Sequence, residues 1–545
     1  MRLKAFLLSM LFCSLSLGGG AELYLKHCSV CHGEDRLGKV APPLFPFPPF
    51  FNLKSDEELS KIIKEGSTGM PAFKELRDDE IRVIVEFIKK PIEKEKLEWK
   101  EDRIRESLHS LQTEKLRIKS LSDYTLVVER GKNSVWVMEG ERLLAKFPFS
   151  NMHGGIKFSP DGTAYIPSRD GWVGRFSPQE GELKKVRACI YLRNIALSAD
   201  GRYLAVSCWL PSALLLFDRD LNLLKRFEME GRVNAIYELP SKGAFVFTFR
   251  DKPLVGFFNP LDMSLEYRSI DIPLEDFTID PLEDYLIASS KDSLRIYSLD
   301  SLRLVKEIKA GGLPHLASVS FWYSKGSFYF ATPLLKKPVL SIWKAYSWEH
   351  VKDIPLRGEG FLARSNYKNP YLWVDTSSDS LILVDKRTLD VFEITPYEGK
   401  RATHAEFTGD GRIAYVSLYE KEGALVLYDG VSLKKIGELP ASFPAGKYNY
   451  INKSRRLEAA GLGYQVFMEK CWGCHHTTKP AFGPPLRWSA QRREKALIMA
   501  QVLDPQNTYR LLGYSRNAMP KVELKEEELK ALINFMEALK DGWMD

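Results

Sequence analysis

The sequence predicts a mostly β protein, an eight-bladed β-propeller flanked by two small all-α domains. A hydrophobic strand that ends in a small or polar residue recurs eight times, at spacings of 39 to 43 residues. On both sides of this repeat, the sequence pattern changes from one typical of strands to one typical of helices. A period near 40 residues with short strands is typical of propeller blades, and a β-sandwich with chance regularity is the alternative. The eight copies end at Glu129, Ser168, Ser207, Thr248, Ser289, Thr332, Asp375 and Ser417.

The first 21 residues are typical of an export signal. Arg2 and Lys4 precede an apolar run, Ala5–Leu17, and small residues follow it. No later run of about 18 apolar residues predicts a membrane-spanning helix. We therefore expect an exported, periplasmic protein that does not span the membrane.

The remaining 524 residues divide into four parts by composition and hydrophobic pattern. Residues 22–90 form the first small helical domain, which contains a Pro/Phe-rich loop at Pro42–Phe51 and an amphipathic stretch at Asp78–Lys90. Residues 91–122 are dense in charge and predict a linker with some helix, which would let the first domain move. The propeller covers 123–453. The second helical domain, 456–545, ends in an amphipathic helix.

Each helical domain contains a Cys-x-x-Cys-His motif, at Cys28–His32 and Cys471–His475. Two thiols at this spacing can add to the two vinyl groups of one porphyrin while the adjacent imidazole reaches the iron. A zinc site would need more thiols or imidazoles nearby, and a redox dithiol does not need the histidine. The sequence therefore predicts two covalent c-type haems, bound by Cys28, Cys31, Cys471 and Cys474, with His32 and His475 as iron ligands.

A Met-Pro pair follows each motif and supplies a candidate sixth iron ligand. Met70 lies 38 residues after His32, and Met519 lies 44 residues after His475. A thioether opposite an imidazole favours a high reduction potential, which suits electron transfer. Both helical domains thereby resemble class I cytochromes c.

Charge and the remaining cysteines narrow the function classes. The net charge of +7 is small for this length, and basic and acidic residues are interspersed, so nucleic-acid binding gains little support. A mildly basic surface favours an acidic redox partner. Cys13 belongs to the export signal. Cys189 and Cys208 are left either to pair or to remain buried free thiols.

The propeller resembles the haem d1-binding propellers of the cytochrome cd1 family. That family includes the NO-forming nitrite reductase and relatives in haem d1 maturation, and the resemblance spans roughly residues 120–453. The segments that carry it are His153–Gly162, Ser168–Trp172, Leu192–Asn194, Gly311–His315, His404–Thr408, Gly423–Asp429 and Gly446–Lys453.

The resemblance implies a cofactor site in the propeller channel. His153 matches the proximal iron ligand of haem d1. Arg169 and Arg193 match arginines that face the carboxylate-rich rim of the macrocycle, a role that suits a guanidinium. We therefore expect one non-covalent haem d1, or its dihydro precursor, beside the two c-type haems.

Two departures from the nitrite reductase pattern decide which branch the chain resembles. Where that enzyme carries two distal histidines, this chain has Ala331–Leu334 and Ala363–Asn366. Removing an oxygen from nitrite requires proton delivery, so the loss of both acids disfavours nitrite reduction. His315 and His404 instead resemble the maturation branch, with His315 as a distal ligand and His404 as a base. The alternative is that both are structural turn histidines near the channel.

The sequence thus predicts a multihaem redox enzyme linked to denitrification. The first expectation is oxidation of dihydro-haem d1 to haem d1, with electrons leaving through the c-type haems. The alternatives are NO-forming nitrite reduction and haem d1 carriage. The expected partners are periplasmic electron carriers and other haem d1 maturation proteins.

Overall fold

The computed structural model describes residues 19–38, 41, 43–46, 54–66 and 70–544. The export signal predicted at 1–21 therefore lies outside the described residues up to position 18, and residues 19–27 are helical. Most of the Pro/Phe-rich loop predicted at Pro42–Phe51 also lies outside them. In the described part of the chain, no helix combines the length and apolarity needed to cross a membrane.

Eight antiparallel sheets form the middle of the chain, which confirms the eight-bladed propeller and excludes the sandwich. Blade 1 consists of Pro444–Asn449, Tyr124–Glu129, Ser134–Glu139 and Arg142–Pro148. Blade 2 consists of Lys157–Phe158, Ala164–Pro167, Trp172–Ser177 and Glu182–Arg187. Blade 3 consists of Tyr191–Leu197, Tyr203–Leu210, Ser212–Asp218 and Leu223–Glu228. Blade 4 consists of Val233–Leu239, Ala244–Phe249, Leu254–Asn259 and Ser264–Ser269.

The second half of the ring repeats this pattern. Blade 5 consists of Asp276–Ile279, Tyr285–Ser290, Ser293–Ser298 and Leu304–Lys309. Blade 6 consists of Leu313–Pro314, Ser320–Ser324, Ser327–Leu335, Val339–Lys344 and Glu349–Pro355, with a 3-10 turn at Leu316–Ser318. Blade 7 consists of Ala363–Ser365, Tyr371–Asp375, Leu381–Asp385 and Val391–Ile394. Blade 8 consists of Ala402–Phe407, Ile413–Leu418, Gly423–Asp429 and Lys435–Ala441.

The repeat found in the sequence is the second strand of every blade. In this position both faces of the strand are covered by neighbouring blades, and Tyr124–Glu129 and Ile413–Leu418 are buried at every residue. The outermost strands face water, and Val391–Ile394 is mostly exposed. Burial on both faces therefore explains why one strand per blade reads as a continuous apolar run.

The ring is closed between the two ends of the propeller sequence. Pro444–Asn449, the last strand, is the innermost strand of blade 1 and pairs with Tyr124–Glu129. Blade 1 is thus completed by a strand that begins 296 residues after the last of its other three strands ends.

The N-terminal domain contains the helices Ser29–His32, Asp56–Glu65 and Asp78–Ile88. Ser55 begins the second of these with a capping box, in which its side chain accepts a hydrogen bond from the Glu58 amide and the Glu58 carboxylate accepts one from Ser55.

Residues 91–112 are held against the propeller, which differs from the mobile linker that their charge predicts. The segment forms the 3-10 turn Lys94–Leu97, the helix Glu101–Glu106 and the strand His109–Gln112, which pairs with the outer strand of blade 2. Trp99 and Ile104 are buried with side chains of blades 2 and 3. Ile92, Leu97 and Leu108 pack partly buried against the same cluster, so a few apolar side chains fix a segment whose overall composition is polar.

The C-terminal domain contains the helices Arg455–Lys470, Leu486–Arg492, Lys495–Leu503, Pro505–Thr508 and Glu526–Lys540. The first and last of these cross closely at Gly463, where any side chain would overlap the backbone of Ala531. Leu457 and Phe467 of the first helix share one apolar core with blades 1 and 2. The C-terminal domain is therefore packed into the propeller body.

Cys189 and Cys208 form a disulfide, so pairing is the alternative that the structure adopts. Cys189 lies between blades 2 and 3, and Cys208 lies on the second strand of blade 3.

Candidate functional site

The second Cys-x-x-Cys-His motif lies at the edge of a cavity of about 270 Å³. Cys471, Cys474, His475 and Met519, which are distant in sequence, all line it. The His475 Nδ1 donates to the Pro484 carbonyl at 2.9 Å, which leaves Nε2 unprotonated for a metal. Gly483 packs so closely that any side chain there would overlap the imidazole. These residues fit a c-type haem.

The first motif has a similar local arrangement. Cys28 and His32 are buried, and Met70 packs against the same apolar cluster as Cys28. Burial raises the pKa of the Cys28 thiol, and likewise that of Cys471, to about 11. Within the described residues the four motif thiols are free of disulfides, as thioether attachment requires.

The innermost strands of the blades enclose a central channel of about 780 Å³. Eight Lys or Arg side chains line it against four Asp or Glu. A cavity of this size, with an excess of cations and aromatic walls, suits a large anionic ligand such as a tetrapyrrole with several carboxylates.

His153 projects into the channel from the loop that enters blade 2. Gly154 and Gly155 follow it with φ values of +95° and +84°, a backbone conformation that strongly favours glycine. Burial, together with the cations Arg169 and Arg193, lowers the pKa of His153 to about 2, so the ring is neutral. Its Nδ1 is buried without a hydrogen-bond partner. A neutral, incompletely satisfied imidazole fits an axial iron ligand.

The two arginines matched by the resemblance lie on either side of His153. The Arg169 Nη2 lies 2.7 Å from the His153 Nε2, and its guanidinium lies over the Tyr191 ring. Arg193 lines the channel, and its Nε is buried without a partner. Iron binding through the His153 Nε2 therefore requires Arg169 to move off that atom, toward the rim where a carboxylate would accept from it.

His404 lies deeper in the channel wall, on the innermost strand of blade 8. The strand is irregular between Thr403 and Glu406, and His404 has a φ of +50°. Burial, followed by the cations Lys447, Arg364 and Lys453, holds the pKa of His404 well below its usual range. Its Nδ1 is buried without a partner. A strained backbone thus holds a neutral imidazole at the channel.

Tyr448 and Arg364 share the surroundings of His404, and sequence reasoning assigned them no role. The Tyr448 ring lies 6.2 Å from the His404 ring, and burial raises the pKa of its hydroxyl. Arg364 occupies one of the two segments that lack the distal histidine of nitrite reductases, and it lines the channel. Tyr448 lies in Gly446–Lys453, one of the segments that resemble the cytochrome cd1 family. That resemblance was the sequence signal that could have identified Tyr448.

His315 lines the same channel near the mouth where His153 lies. Its Nδ1 lies 2.7 Å from the Phe361 carbonyl, so Nε2 is left unprotonated. The Thr332 hydroxyl donates to the His315 carbonyl at 2.8 Å, which places His315 directly beside the other segment without a distal histidine. The structure thus brings His153, His315 and His404 to one cavity.

The opposite mouth of the channel is covered by the C-terminal domain. Residues of the helix Arg455–Lys470 line the channel, and Arg455 donates to the Ile279 carbonyl at 3.1 Å while Arg456 donates to the Ala199 carbonyl at 3.0 Å. Its last residue, Lys470, lines the cavity beside Cys471. One helix therefore connects the channel to the second c-type site.

The N-terminal domain contacts the propeller on the side of His153. Arg187 donates to the carbonyls of Leu37 and Gly38, the latter at 3.0 Å, in the loop just after the first haem motif. The Arg187 Nε donates to the Asp170 carbonyl at 3.0 Å, and Asp170 follows Arg169 directly. Three residues, Arg187, Asp170 and Arg169, therefore link the loop of the first haem motif to His153.

Comparison with known proteins agrees with this geometry. The model of the cytochrome D1 heme domain matches residues 119–453, more than half of the chain. The chain belongs to the cytochrome d1 haem-domain family. The model of cytochrome C oxidase, cbb3-type, subunit III matches residues 16–88, and the cytochrome c model matches 460–540. The cytochrome d1 propeller is therefore flanked by cytochrome c domains, as predicted.

Two curated relatives from Pseudomonas aeruginosa are similar to this cytochrome d1 family member. Dihydro-heme d1 dehydrogenase is 35% identical over 487 residues, with 83% of this chain and 98% of the relative covered. Protein NirF is 24% identical over 382 residues, with 63% of this chain and 94% of the relative covered.

A solved structure, described as dihydro-heme d1 dehydrogenase NirN in complex with DHE, superimposes with a TM-score of 0.73 at 33% identity. It is covered entirely and matches 80% of this chain. The fifth of this chain that has no counterpart in the solved structure is close in size to one terminal cytochrome c domain. The similarity therefore includes the propeller that encloses the channel, and this chain is longer than that relative.

Proposed function

We propose that this protein oxidises dihydro-haem d1 to haem d1, with electrons leaving through two covalent c-type haems. The observation that carries the proposal is that His153 and His404 both line one cationic channel. Both are held neutral, and neither lies where nitrite reductases keep their distal proton donors. A neutral His404 that can accept a proton suits dehydrogenation, whereas nitrite reduction needs acids.

The reaction converts a saturated propionate side chain, –CH2–CH2–, into –CH=CH– and releases two electrons and two protons. In the proposal, His153 binds the iron of the substrate, and Arg193 with Arg169 holds its carboxylates at the rim. His404 accepts one proton, and the other is released to water in the channel. His315 serves as the distal ligand.

The c-type haems supply two one-electron acceptors when bound. We assign Cys28, Cys31 and His32 to the first haem and Cys471, Cys474 and His475 to the second, with Met70 and Met519 as the sixth iron ligands. Because each haem takes one electron, two of them balance the two-electron oxidation without an intervening external acceptor.

The proposal is tested by mixing the oxidised holoprotein with dihydro-haem d1 without oxygen. We expect both c-type haems to become reduced in proportion to a product that has lost two hydrogen atoms, measured by absorbance and mass spectrometry. Stoichiometric binding without conversion supports a haem d1 carrier instead. Conversion of nitrite to NO by the reduced, haem d1-loaded protein supports a nitrite reductase.

His404→Ala tests the assigned base. We expect conversion to fall by about 10²- to 10⁴-fold, the contribution of a positioned general base, while substrate still binds. His350→Ala is the matched control, because His350 is exposed on the outer strand of blade 6, far from the channel lining, where it contacts Asp353 and Trp343. Equal rates for the two variants would remove His404 from the mechanism.

His153→Ala tests the iron ligand separately. We expect the axial-ligand band of the bound tetrapyrrole to disappear, whereas the spectra of the c-type haems stay unchanged. An unaltered tetrapyrrole spectrum would contradict the assignment.

We further propose that the protein acts in the periplasm, where its partners are electron carriers and other haem d1 maturation proteins. Support comes from the predicted export signal and from the similarity to two Pseudomonas aeruginosa proteins. Secretion of an amino-terminal fusion, with covalent haem in the periplasmic fraction, is the expected result.

A further inference from the structure

The cavity of the second c-type site opens onto an exposed apolar surface. Phe482 and Tyr514 line the cavity and are 82% and 41% exposed, and Trp472, inside the haem motif, is 54% exposed. Leu511 nearby in sequence is 73% exposed. Phe482 is the most exposed of the large apolar side chains in the described chain. We name these four residues the aromatic rim.

Isolated apolar side chains on a surface are ordinary, but a group of them at the mouth of a redox site is not. All four lie between residues 472 and 514, and none belongs to the apolar clusters that the C-terminal domain shares with the propeller. The propeller therefore leaves the aromatic rim exposed.

Basic residues outnumber acidic ones in the segment that carries the rim, and Arg493 and Arg516 line the same cavity. Residues 471–521 contain eight Lys or Arg against two Asp or Glu. Residues 22–90, the other cytochrome c domain, contain eleven basic against twelve acidic residues. The two haem domains therefore differ in charge, although they share a motif and a fold.

The cations of this surface are not neutralised within the chain. Arg510 and Arg516 are exposed, Arg516 lines the cavity mouth, and over the described residues neither forms an ion pair. The exposed cations of helix Asp56–Glu65 in the N-terminal domain behave differently, since Lys61 and Lys64 both pair with carboxylates. The charge around the aromatic rim is thus available to a partner.

We propose that the aromatic rim and its cations form the docking surface for an acidic one-electron carrier protein, which takes electrons from the second c-type haem. This rests on the proposed function only in that electrons leave through the c-type haems. An apolar centre with a charged border gives the partner close contact at the haem edge, and the opposite charge steers its approach.

The test starts from chemically reduced holoprotein and needs no tetrapyrrole, so its outcome is independent of the dehydrogenase assay. The probe is an acidic blue-copper protein, and stopped-flow absorbance follows oxidation of the c-type haems. We expect the second-order rate constant to fall at least tenfold between low salt and about 0.5 M, where charges farther apart than a few Å are screened.

The double variant Arg510→Glu/Arg516→Glu should lower the rate constant about tenfold at low salt and leave it nearly unchanged at high salt. The matched control, Arg387→Glu/Lys421→Glu, changes the net charge equally at exposed positions of blades 7 and 8 and should stay within about twofold. Phe482→Ala should lower the rate constant at both salt concentrations, because the contact that it removes is not electrostatic.

Three results would overturn the proposal. The first is an equal loss of rate in the charge variant and its control, which would mean that only net charge matters. The second is no loss in either variant, which would place docking elsewhere, including at the first haem. The third is unchanged electron exchange together with loss of binding to anionic phospholipid vesicles in the charge variant, which would assign the surface to a membrane. Covalent haem content verifies that each variant is folded.

Discussion

The two cytochrome c domains are attached to the propeller by different physical means. The C-terminal domain shares an apolar core with the blades and covers one mouth of the channel through the helix Arg455–Lys470. The N-terminal domain has a core of its own and adds two side chains, Leu37 and Phe45, to the apolar cluster of blades 2 and 3, and Arg187 and the segment 91–112 also hold it. The C-terminal domain is thus part of one folding unit with the propeller, whereas the N-terminal domain is a docked module.

The largest expected effect comes from removing each domain in turn. A chain that ends at Lys453 loses the burial of Leu457, Leu462, Val466 and Phe467, at about 1.5–3 kcal/mol for each side chain, or roughly 6–12 kcal/mol in all. We expect this chain to unfold at a much lower temperature, or to aggregate. Removing residues 1–90 loses the burial of Leu37 and Phe45, about 3–6 kcal/mol by the same measure, so the melting temperature of the propeller should fall less. Differential scanning calorimetry compares the two truncated chains. Equal losses of melting temperature would show that the two domains do not differ in how strongly they stabilise the propeller.

Glu528 tests the buried polar contact of the C-terminal domain. It is 1% exposed, accepts from the Tyr323 hydroxyl of blade 6 at 2.7 Å, and pairs with Lys470 at 3.0 Å. Glu528→Ala should cost about 1.5–3 kcal/mol, because it removes the acceptor of the buried Tyr323 hydroxyl and leaves Lys470 with the Glu523 carbonyl at 3.0 Å. Urea denaturation measures the loss, and Glu526→Ala, at an exposed position of the same helix, should cost less than about 0.5 kcal/mol.

The same carboxylate predicts a pH dependence. Burial alone would raise the pKa of Glu528, but the Lys525 amide, Tyr323 and Lys470 outweigh it and hold the pKa below its ordinary value. A lowered pKa contributes stability above the unfolded-state value, and that stability is lost as pH falls through the folded-state value. We expect wild type and Glu528→Ala to converge in stability in acid, below about pH 4. A difference that persists there would contradict the role of the charge.

Arg187 tests the attachment of the N-terminal domain. Arg187→Ala removes charge-assisted hydrogen bonds to the Leu37 and Gly38 carbonyls, worth about 1.5–3 kcal/mol each. We expect faster tryptic cleavage between residues 89 and 105 and slower electron transfer between the channel and the first haem, at an unchanged melting temperature of the propeller. Arg82→Ala, at an exposed position of the helix Asp78–Ile88, is the control. Unchanged cleavage would show that the segment 91–112 alone holds the domain.

The smallest expected effect concerns the ion pair between Lys530 and Asp284, which joins the C-terminal domain to blade 5. Both side chains are about 40% exposed, so Lys530→Ala should change stability by less than about 1 kcal/mol. Urea denaturation checks this value. A larger loss would mean that surface charge, rather than the shared core, holds the domain.

Much of the architecture is readable from the sequence because burial and covalent chemistry leave local patterns. The doubly buried second strands produce the 40-residue period, and haem attachment needs its five residues in one run. His153, His315 and His404 were found through motifs, and the structure places all three at one channel.

The parts that escaped prediction depend on contacts between distant residues. Trp99 and Ile104 help to fix the segment 91–112, but a few apolar residues give no recognisable pattern in a stretch dense in charge. Arg455 reaches the channel from a helix that the sequence assigns to another domain. Arg187 contacts Leu37 across 150 positions, and nothing local in the sequence marks that contact.

Closure of the ring by Pro444–Asn449 sets an order of assembly. The chain is synthesised from its amino terminus, so the first haem motif is complete hundreds of residues before blade 1 receives its innermost strand. Until that strand pairs, the channel has a missing wall, and Tyr448, which lies on that strand, is not yet beside Gly155. The first haem can therefore be attached to an unfinished protein, whereas a tetrapyrrole can be loaded only into a finished one.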